Sequence, residues 1–88
     1  MGIQTQQAIN NLRLAVESAG GTLEDIVILR IYIVQHKPEN GSVISEILRK
    51  KFGTTVPPAS TWISVEGLAN ADFLIEIEAQ AVLAQTVS

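Results

Sequence analysis

The stretch Ile26–Val34, with the sequence IVILRIYIV, decides the fold because it is typical of a half-buried β-strand. It is rich in β-branched residues, which fit the pleated surface of a sheet. Successive side chains of a strand point to opposite faces. One face is aliphatic and the other is mixed: Val27, Leu29, Ile31 and Ile33 against Ile28, Arg30, Tyr32 and Val34. The sequence therefore predicts a strand with one face against a core.

A helix is predicted before this strand. Apolar residues recur on one helical face over residues 6–19, and Gly20-Gly21 supplies the C-terminal stop. Thr5 is the predicted N-cap, because its hydroxyl can accept a hydrogen bond from a free amide of the first turn. Residues 22–25 match a capping pattern and predict a single helical turn before the strand.

A turn, a second helix and two further strands are predicted after the central strand. Residues 35–41 carry Pro38 and Asn40-Gly41, which are typical of a turn. Residues 42–52 fit a helix that Ser42 caps and Gly53 ends. The remaining predicted elements are an extended loop at 54–58, a strand at 60–65, a loop at 66–72 and a last strand at 73–82.

The predicted order is therefore α-β-α-β-β. Each strand has one apolar face, which favours an α+β fold with two helices packed on one side of a sheet. Eighty-eight residues are enough for one domain, residues 1–88, and too few for two.

Composition excludes several classes of function. The net charge is −3, from 6 basic and 9 acidic residues, and residues 49–51 are the only basic cluster, so a nucleic-acid partner is not expected. Cysteine is absent, and His36 is the only histidine, so no metal site is predicted. Gly20-Gly21 lacks a phosphate-loop pattern, and no cofactor is predicted. Residues 1–7 show no signal peptide and no apolar run spans a membrane, which predicts a cytoplasmic protein.

The mixed faces of the three strands supply the candidate site residues, which we expect on one side of the sheet. They are Arg30, Tyr32, Ser60, Trp62, Ser64, Glu76, Glu78 and Gln80. Tyr, Trp and Arg are enriched at subunit interfaces, so this face predicts a homo-oligomer, with a solvent-exposed face as the alternative. For Glu76 and Glu78, an ion pair with Arg30 or a solvated position is favoured over an acid–base pair.

Four segments resemble a known family. They are QTQQAINNL at residues 4–12, AGGTLEDIV at 19–27, PAST at 58–61 and LIEIEA at 74–79. In this order they resemble the YjgF/Rid family of reactive-intermediate deaminases, also called endoribonuclease L-PSP. The resemblance implies a chorismate-mutase-like α+β fold, a homotrimer with its sheets facing inward, and ligand clefts between subunits.

The resemblance also implies site residues. In that family an arginine pairs with the substrate carboxylate of an imine, and a glutamate on the last strand, matching Glu76, positions the attacking water. This chain has Ser60 where deaminating members have the arginine, and Ser45 where the family often has asparagine. The family also has opening strands before its first helix, whereas this chain begins close to that helix. We therefore expect the last strand, residues 73–82, to pair with another subunit, in a trimer-like or larger assembly.

The sequence thus predicts a small-ligand-binding or regulatory protein of this family with weak or no deaminase activity. A small carboxylate is the expected ligand, Glu76 is the candidate catalytic residue, and the candidate ligand-binding residues are Ser60, Arg30, Tyr32, Trp62 and Glu78. The alternative is an enamine/imine deaminase, acting on 2-iminobutanoate or 2-iminopropanoate, with Arg30 as the carboxylate anchor. An endoribonuclease of the L-PSP type is the second alternative.

Overall fold

The structure, a computed structural model, describes residues 1–53 and 57–83. Its elements follow the predicted order α-β-α-β-β. They are helix α1 (Gly2–Ser18), a 3₁₀ turn (Leu23–Asp25), strand β1 (Ile26–Val34), helix α2 (Pro38–Phe52), strand β2 (Ala59–Val65) and strand β3 (Ile75–Ala81). The predicted α+β fold class is confirmed.

Strand β1 lies at the centre of the sheet. In the described part of the chain the strand order is β2-β1-β3. β2 runs parallel to β1, and β3 runs antiparallel to it. A parallel neighbour needs a crossover connection, which α2 provides between β1 and β2. Strand β1 therefore pairs with both of the other strands and sets their register.

The core lies between the sheet and the two helices. Its buried members are Ile9, Ile26, Leu29, Ile31, Ile33, Ile44, Ile75 and Ile77. Ile9 belongs to α1 and Ile44 to α2, and both pack in one cluster with the inner row of β1. The prediction that both helices cover the same face of the sheet is confirmed.

At the beginning of β1, the residue that faces the core is not the one that was predicted. Val27 is 44% exposed, whereas Ile26 is only 5% exposed. The pairing of β1 with β3 shifts between Ile26 and Ile28. An extra residue of this kind reverses the alternation on the strand that carries it. The prediction that Val27 faces the core is therefore wrong, and Ile26 takes that role.

Helix α1 begins four residues before its predicted start. Thr5 is not an N-cap but lies within the helix, fully buried, with its hydroxyl donating to the Met1 carbonyl at 2.9 Å. Threonine can satisfy its hydroxyl in this way inside a helix, so it does not mark a boundary by itself. The predicted stop is confirmed, because the helix ends at Ser18 and Gly20 has a φ of 92°.

Helix α2 also begins earlier than predicted, at Pro38 rather than after Ser42. Proline fits the first position of a helix because its missing N–H has no helical acceptor there. Asn40 and Gly41 consequently lie inside the first turns of α2, so the turn predicted over residues 35–41 is confirmed only for residues 35–37. The predicted end is confirmed at Gly53, whose φ of 75° is left-handed.

The last two strands keep their predicted places with shifted ends. β2 begins one residue early, at Ala59, and β3 is shorter than the predicted 73–82. Phe73, predicted on the inner face, lies before β3 and is 51% exposed. The predicted loop at 54–58 falls partly on residues 54–56, which lie outside the described residues. Over residues 1–53 and 57–83, neither helix is long and apolar enough to cross a membrane.

We expect Ile31→Ala to lower the free energy of unfolding by about 2–5 kcal/mol, because the truncation leaves a cavity in a well-packed core. Ile31 is 0% exposed at the centre of β1. Val27→Ala, on the same strand, is the matched control and should cost about 1 kcal/mol or less. Urea unfolding followed by circular dichroism measures both. Equal losses for the two variants would contradict the assigned inner row.

Candidate functional site

The pairing register decides which predicted site residues share a face of the sheet. Residues directly opposite each other on neighbouring strands point to the same side. Ser60 lies opposite Leu29, and Trp62 lies opposite Ile31. Since Leu29 and Ile31 face the helices, Ser60 and Trp62 do so as well, and Trp62 packs against the core.

The prediction that Ser60, Trp62 and Ser64 share a face with Arg30 and Tyr32 is therefore wrong. The outer face of β2 is instead formed by Thr61, Ile63 and Val65, which lie opposite Arg30, Tyr32 and Val34. The physical reason is that the indole covers apolar core surface that a small side chain would leave open. Alternation along β2 separates its two rows of side chains but does not say which row faces inward.

A pocket of about 320 Å³ lies between α2 and β2, on the helix side of the sheet. We call it the α2–β2 pocket. Its lining residues are Leu29, Ser45, Leu48, Arg49, Phe52, Gly53, Pro57, Pro58, Ser60 and Trp62. Its walls are mostly apolar, and the polar groups that line it are two serines and one arginine. Ser45 and Ser60, the two positions that differ from the family pattern, both line it.

Trp62 is held as one wall of this pocket. Its indole N–H donates to the Ser60 hydroxyl at 3.3 Å, and the His36 ring lies edge-on to it with the ring centroids 6.0 Å apart. The His36 amide in turn donates to the Ser64 hydroxyl at 3.1 Å. Because the Ser60 oxygen is an acceptor here, its own O–H can donate to a ligand oxygen.

Arg49 is a charged residue of this pocket that was not among the candidate site residues predicted from the sequence. It lies one helical turn after Ser45, near the end of α2, and its side chain is exposed. Three ion pairs form among the described residues, and none of them involves Arg49. Its neighbour Lys50 is paired with Glu46 at 3.4 Å. Arg49 therefore lines the pocket with no ion-pair partner among residues 1–53 and 57–83.

The outer face of the sheet carries the other candidate residues. Arg30 lies opposite Glu78 and Tyr32 lies opposite Glu76, so these four share one face as predicted. The Arg30 Nε lies 3.6 Å from a Glu78 carboxylate oxygen, and the Tyr32 hydroxyl donates to the same oxygen. The favoured interpretation of Glu78 as an ion-pair partner of Arg30 agrees with this geometry.

Tyr32 has a pKa raised above its usual value of 10.0. The largest cause is the hydrogen bond to Glu78, followed by desolvation and by the negative charge of Glu78, while Arg30 acts in the opposite direction. Ionising the phenol would break that hydrogen bond and place two negative charges together. Tyr32 is consequently a neutral donor at neutral pH.

The fold of this chain does not bring all the predicted site residues together. Arg30, Tyr32, Glu76 and Glu78 face away from the helices, whereas Ser60 and Trp62 line the α2–β2 pocket. Arg30 is therefore on the wrong side of the sheet to anchor a ligand beside Ser60. Among residues 1–53 and 57–83, no three His, Asp or Glu side chains are grouped as a metal site.

We expect the phenol of Tyr32 to titrate above the ordinary tyrosine pKa, because its neutral form donates to Glu78. Tyr32 is the only tyrosine in the chain, so its phenolate absorbance can be assigned without ambiguity. Glu78→Gln should lower the midpoint, and Glu24→Gln, on the 3₁₀ turn, is the control. A midpoint that does not respond to Glu78→Gln would refute the pairing.

Three solved bacterial proteins share this fold. YyfB from Yersinia pestis, of the conserved Rid protein family, is 40% identical with a TM-score of 0.85, and the match covers 90% of this chain and 59% of YyfB. Rv2704 from Mycobacterium tuberculosis, of the YjgF/YER057c/UK114 family, is 30% identical with a TM-score of 0.80, over 90% of this chain and 64% of Rv2704. YyfA from Yersinia pestis, also of the Rid family, is 30% identical with a TM-score of 0.81, over 90% and 60%. This chain spans about three fifths of the length of these relatives.

The family profile described as endoribonuclease L-PSP matches residues 1–83. The match includes both helices and all three strands described above. The resemblance carried by the four sequence segments is therefore confirmed over nearly the whole chain. The chain belongs to the endoribonuclease L-PSP family, which is also called the YjgF/Rid family.

Proposed function

We propose that this chain binds a small carboxylate-bearing ligand in the α2–β2 pocket and has weak or no deaminase activity. The observation that supports this most directly is the combination of apolar walls with one guanidinium, that of Arg49, at a single pocket. Ligand sites are typically concave and mostly apolar, with a few polar groups that fix the orientation of the ligand.

The size and chemistry of the pocket limit the ligand. About 320 Å³ is at the lower end of the range for small-molecule sites, so a compact ligand fits best. Leu29, Leu48 and Trp62 favour an apolar body, and Arg49 favours an anionic end. A guanidinium can bind both oxygens of a carboxylate in a planar pair, and the Ser60 hydroxyl can add a third hydrogen bond.

Two positions, 60 and 76, support the proposal that deaminase activity is weak or absent. Ser60 cannot make the bidentate contact that the family's arginine makes, because a hydroxyl has one donor and no charge. Glu76, which the resemblance assigns to water activation, faces away from the α2–β2 pocket within one subunit. Hydrolysis would need a glutamate within hydrogen-bond reach of the reacting water, which here would have to come from another subunit.

Two alternative functions are considered. An active enamine/imine deaminase would use Arg49 rather than Arg30 as its carboxylate anchor, since Arg49 shares the pocket with Ser60. The endoribonuclease activity in the family's name fits less well with a chain of net charge −3 and one basic cluster. The homotrimer and the cytoplasmic location stay predictions.

We expect Arg49→Gln to weaken carboxylate binding by about tenfold or more, since hydrogen bonds to charged groups contribute about 1.5–3 kcal/mol. Butanoate is the probe, butanamide is its uncharged counterpart, and Trp62, the only tryptophan, reports binding by fluorescence. Lys50→Gln is the matched control, because it removes the neighbouring charge but does not line the pocket. If Lys50→Gln weakens binding as much as Arg49→Gln, the assignment of Arg49 as anchor is wrong.

We expect the unmodified chain to accelerate hydrolysis of 2-iminobutanoate, generated in situ by a threonine dehydratase, little above the buffer rate. Ser60→Arg should raise that rate where a neighbouring subunit supplies the glutamate, because it restores the charged contact that the substrate carboxylate needs. Ser64→Arg adds the same charge to the same face of β2, outside the pocket, and is the control. Turnover by the unmodified chain comparable to that of an arginine-bearing relative would overturn the proposal.

A further inference from the structure

The Trp62 side chain separates the α2–β2 pocket from the turn that follows β1. One side of the indole lines the pocket. The His36 ring, which belongs to that turn, lies edge-on to the indole, with an angle of 85° between the two ring planes. Within residues 1–53 and 57–83, His36 is not a lining residue of the pocket. The indole therefore lies between the His36 ring and the space that a ligand would fill.

The pocket has a direction along α2. Gly41, Ser45 and Arg49 are four residues apart in turn, so they lie on one face of this helix. Gly41 lies beside the benzene ring of the Trp62 indole, whereas Ser45 and Arg49 line the pocket. The rise of an α-helix places Gly41 and Arg49 about 12 Å apart along the axis. A carboxylate bound at Arg49 would therefore extend its apolar chain towards the indole.

The turn that carries His36 has an unusual backbone conformation. Gln35 has a φ of 47°, in the left-handed region that few residues other than glycine adopt. Its N–H donates to the Val65 carbonyl at 3.0 Å, and the His36 N–H donates to the Ser64 hydroxyl at 3.1 Å. A strained conformation of this kind persists only where the surrounding structure fixes it. Two hydrogen bonds to β2 do so here, and they hold the His36 ring over Trp62.

Gly41 provides the space in which the two rings meet. Glycine is unfavourable inside a helix because it loses more conformational freedom than other residues on folding. A Cβ atom at position 41 would lie 3.3 Å from the His36 Cε1 and 3.7 Å from the Trp62 Cζ3. The first of these distances is too short for an unstrained contact, so a side chain here would displace the His36 ring. Gln35 and Gly41 are thus two locally unfavourable features that permit the same ring contact.

We propose that His36 is a positioning residue for Trp62, and that Trp62 held in this way is the residue that limits the length of the ligand. This inference rests on the proposed binding of a carboxylate at Arg49. The Ser60 hydroxyl fixes the indole N–H, but a single hydrogen bond leaves the half-buried ring free to tilt. The His36 ring blocks that tilt from outside the pocket. Without it, the indole would move into the space of the imidazole and lengthen the pocket at this end.

Acrylamide quenching tests the hold on Trp62 without any ligand, because Trp62 is the only tryptophan. His36→Ala should raise the quenching constant, measured on fluorescence lifetimes, by about twofold or more, since the indole loses a packed neighbour. His36→Phe, which keeps a flat ring, should restore a value near that of the unmodified chain. Lys37→Ala truncates the exposed side chain of the next residue and is the control. Equal constants for His36→Ala and Lys37→Ala would overturn the role of His36.

A series of straight-chain carboxylates from acetate to octanoate tests the limit on length. Affinity, followed by NMR at the Ser60 amide, should rise about fourfold for each buried methylene until the chain meets the indole. In His36→Ala this rise should continue for about one methylene or more beyond the limit of the unmodified chain. Trp62→Phe should extend the limit as well, because the smaller ring leaves the same end open. His36→Phe and Lys37→Ala should keep the original limit, and circular dichroism checks that each variant folds.

The outcomes separate this inference from the proposed function. If no acid of the series binds the unmodified chain, the proposed function is wrong and this inference fails with it. If the acids bind, but the limit on length is the same in the unmodified chain and in His36→Ala, this inference alone is overturned. A longer limit in His36→Ala that His36→Phe reverses would support it, because a general loss of stability would not restore the limit with a second ring.

Discussion

The alternation of side chains along β1 is the constraint on which the rest of the structure depends. Leu29, Ile31 and Ile33 are buried against both helices, so Arg30 and Tyr32 must project from the opposite face. Because β1 is paired on both sides, this alternation is passed to β2 and β3 through the register of each pairing. A slip of one residue on either side would exchange the faces of a whole strand.

This constraint divides the chemistry of the chain between two faces. The helix side presents the α2–β2 pocket, where Ser60, Trp62 and Arg49 surround a small apolar space. The outer face presents a polar row in which Glu78 joins Arg30 and Tyr32. The α2–β2 pocket and the Glu76 side chain therefore lie on opposite sides of the sheet.

Much of the fold could be predicted from the sequence, because its signals are local. The bounds of β1 agree residue for residue, since a β-branched run is unambiguous. The start of α2 could not be predicted, because Pro38 is equally typical of a turn and of a first helical position. The direction of Trp62 depends on the pairing of β2 with β1, which no local pattern shows. Arg49 could not be singled out for a similar reason. It is followed by Lys50 and Lys51, and only the packing of α2 against β2 shows that Arg49, and neither lysine, lines the pocket.

An NMR titration of the isotopically labelled chain with butanoate tests the separation of the two faces most directly. We expect shift changes to concentrate on the α2–β2 pocket, at the Trp62 indole N–H and at the amides of Ser45, Arg49 and Ser60. The side-chain signals of Arg30, Tyr32 and Glu78 should change little, because these side chains lie on the other face of the sheet. Shift changes concentrated on Arg30, Tyr32 and Glu78, with the Trp62 indole unaffected, would contradict it.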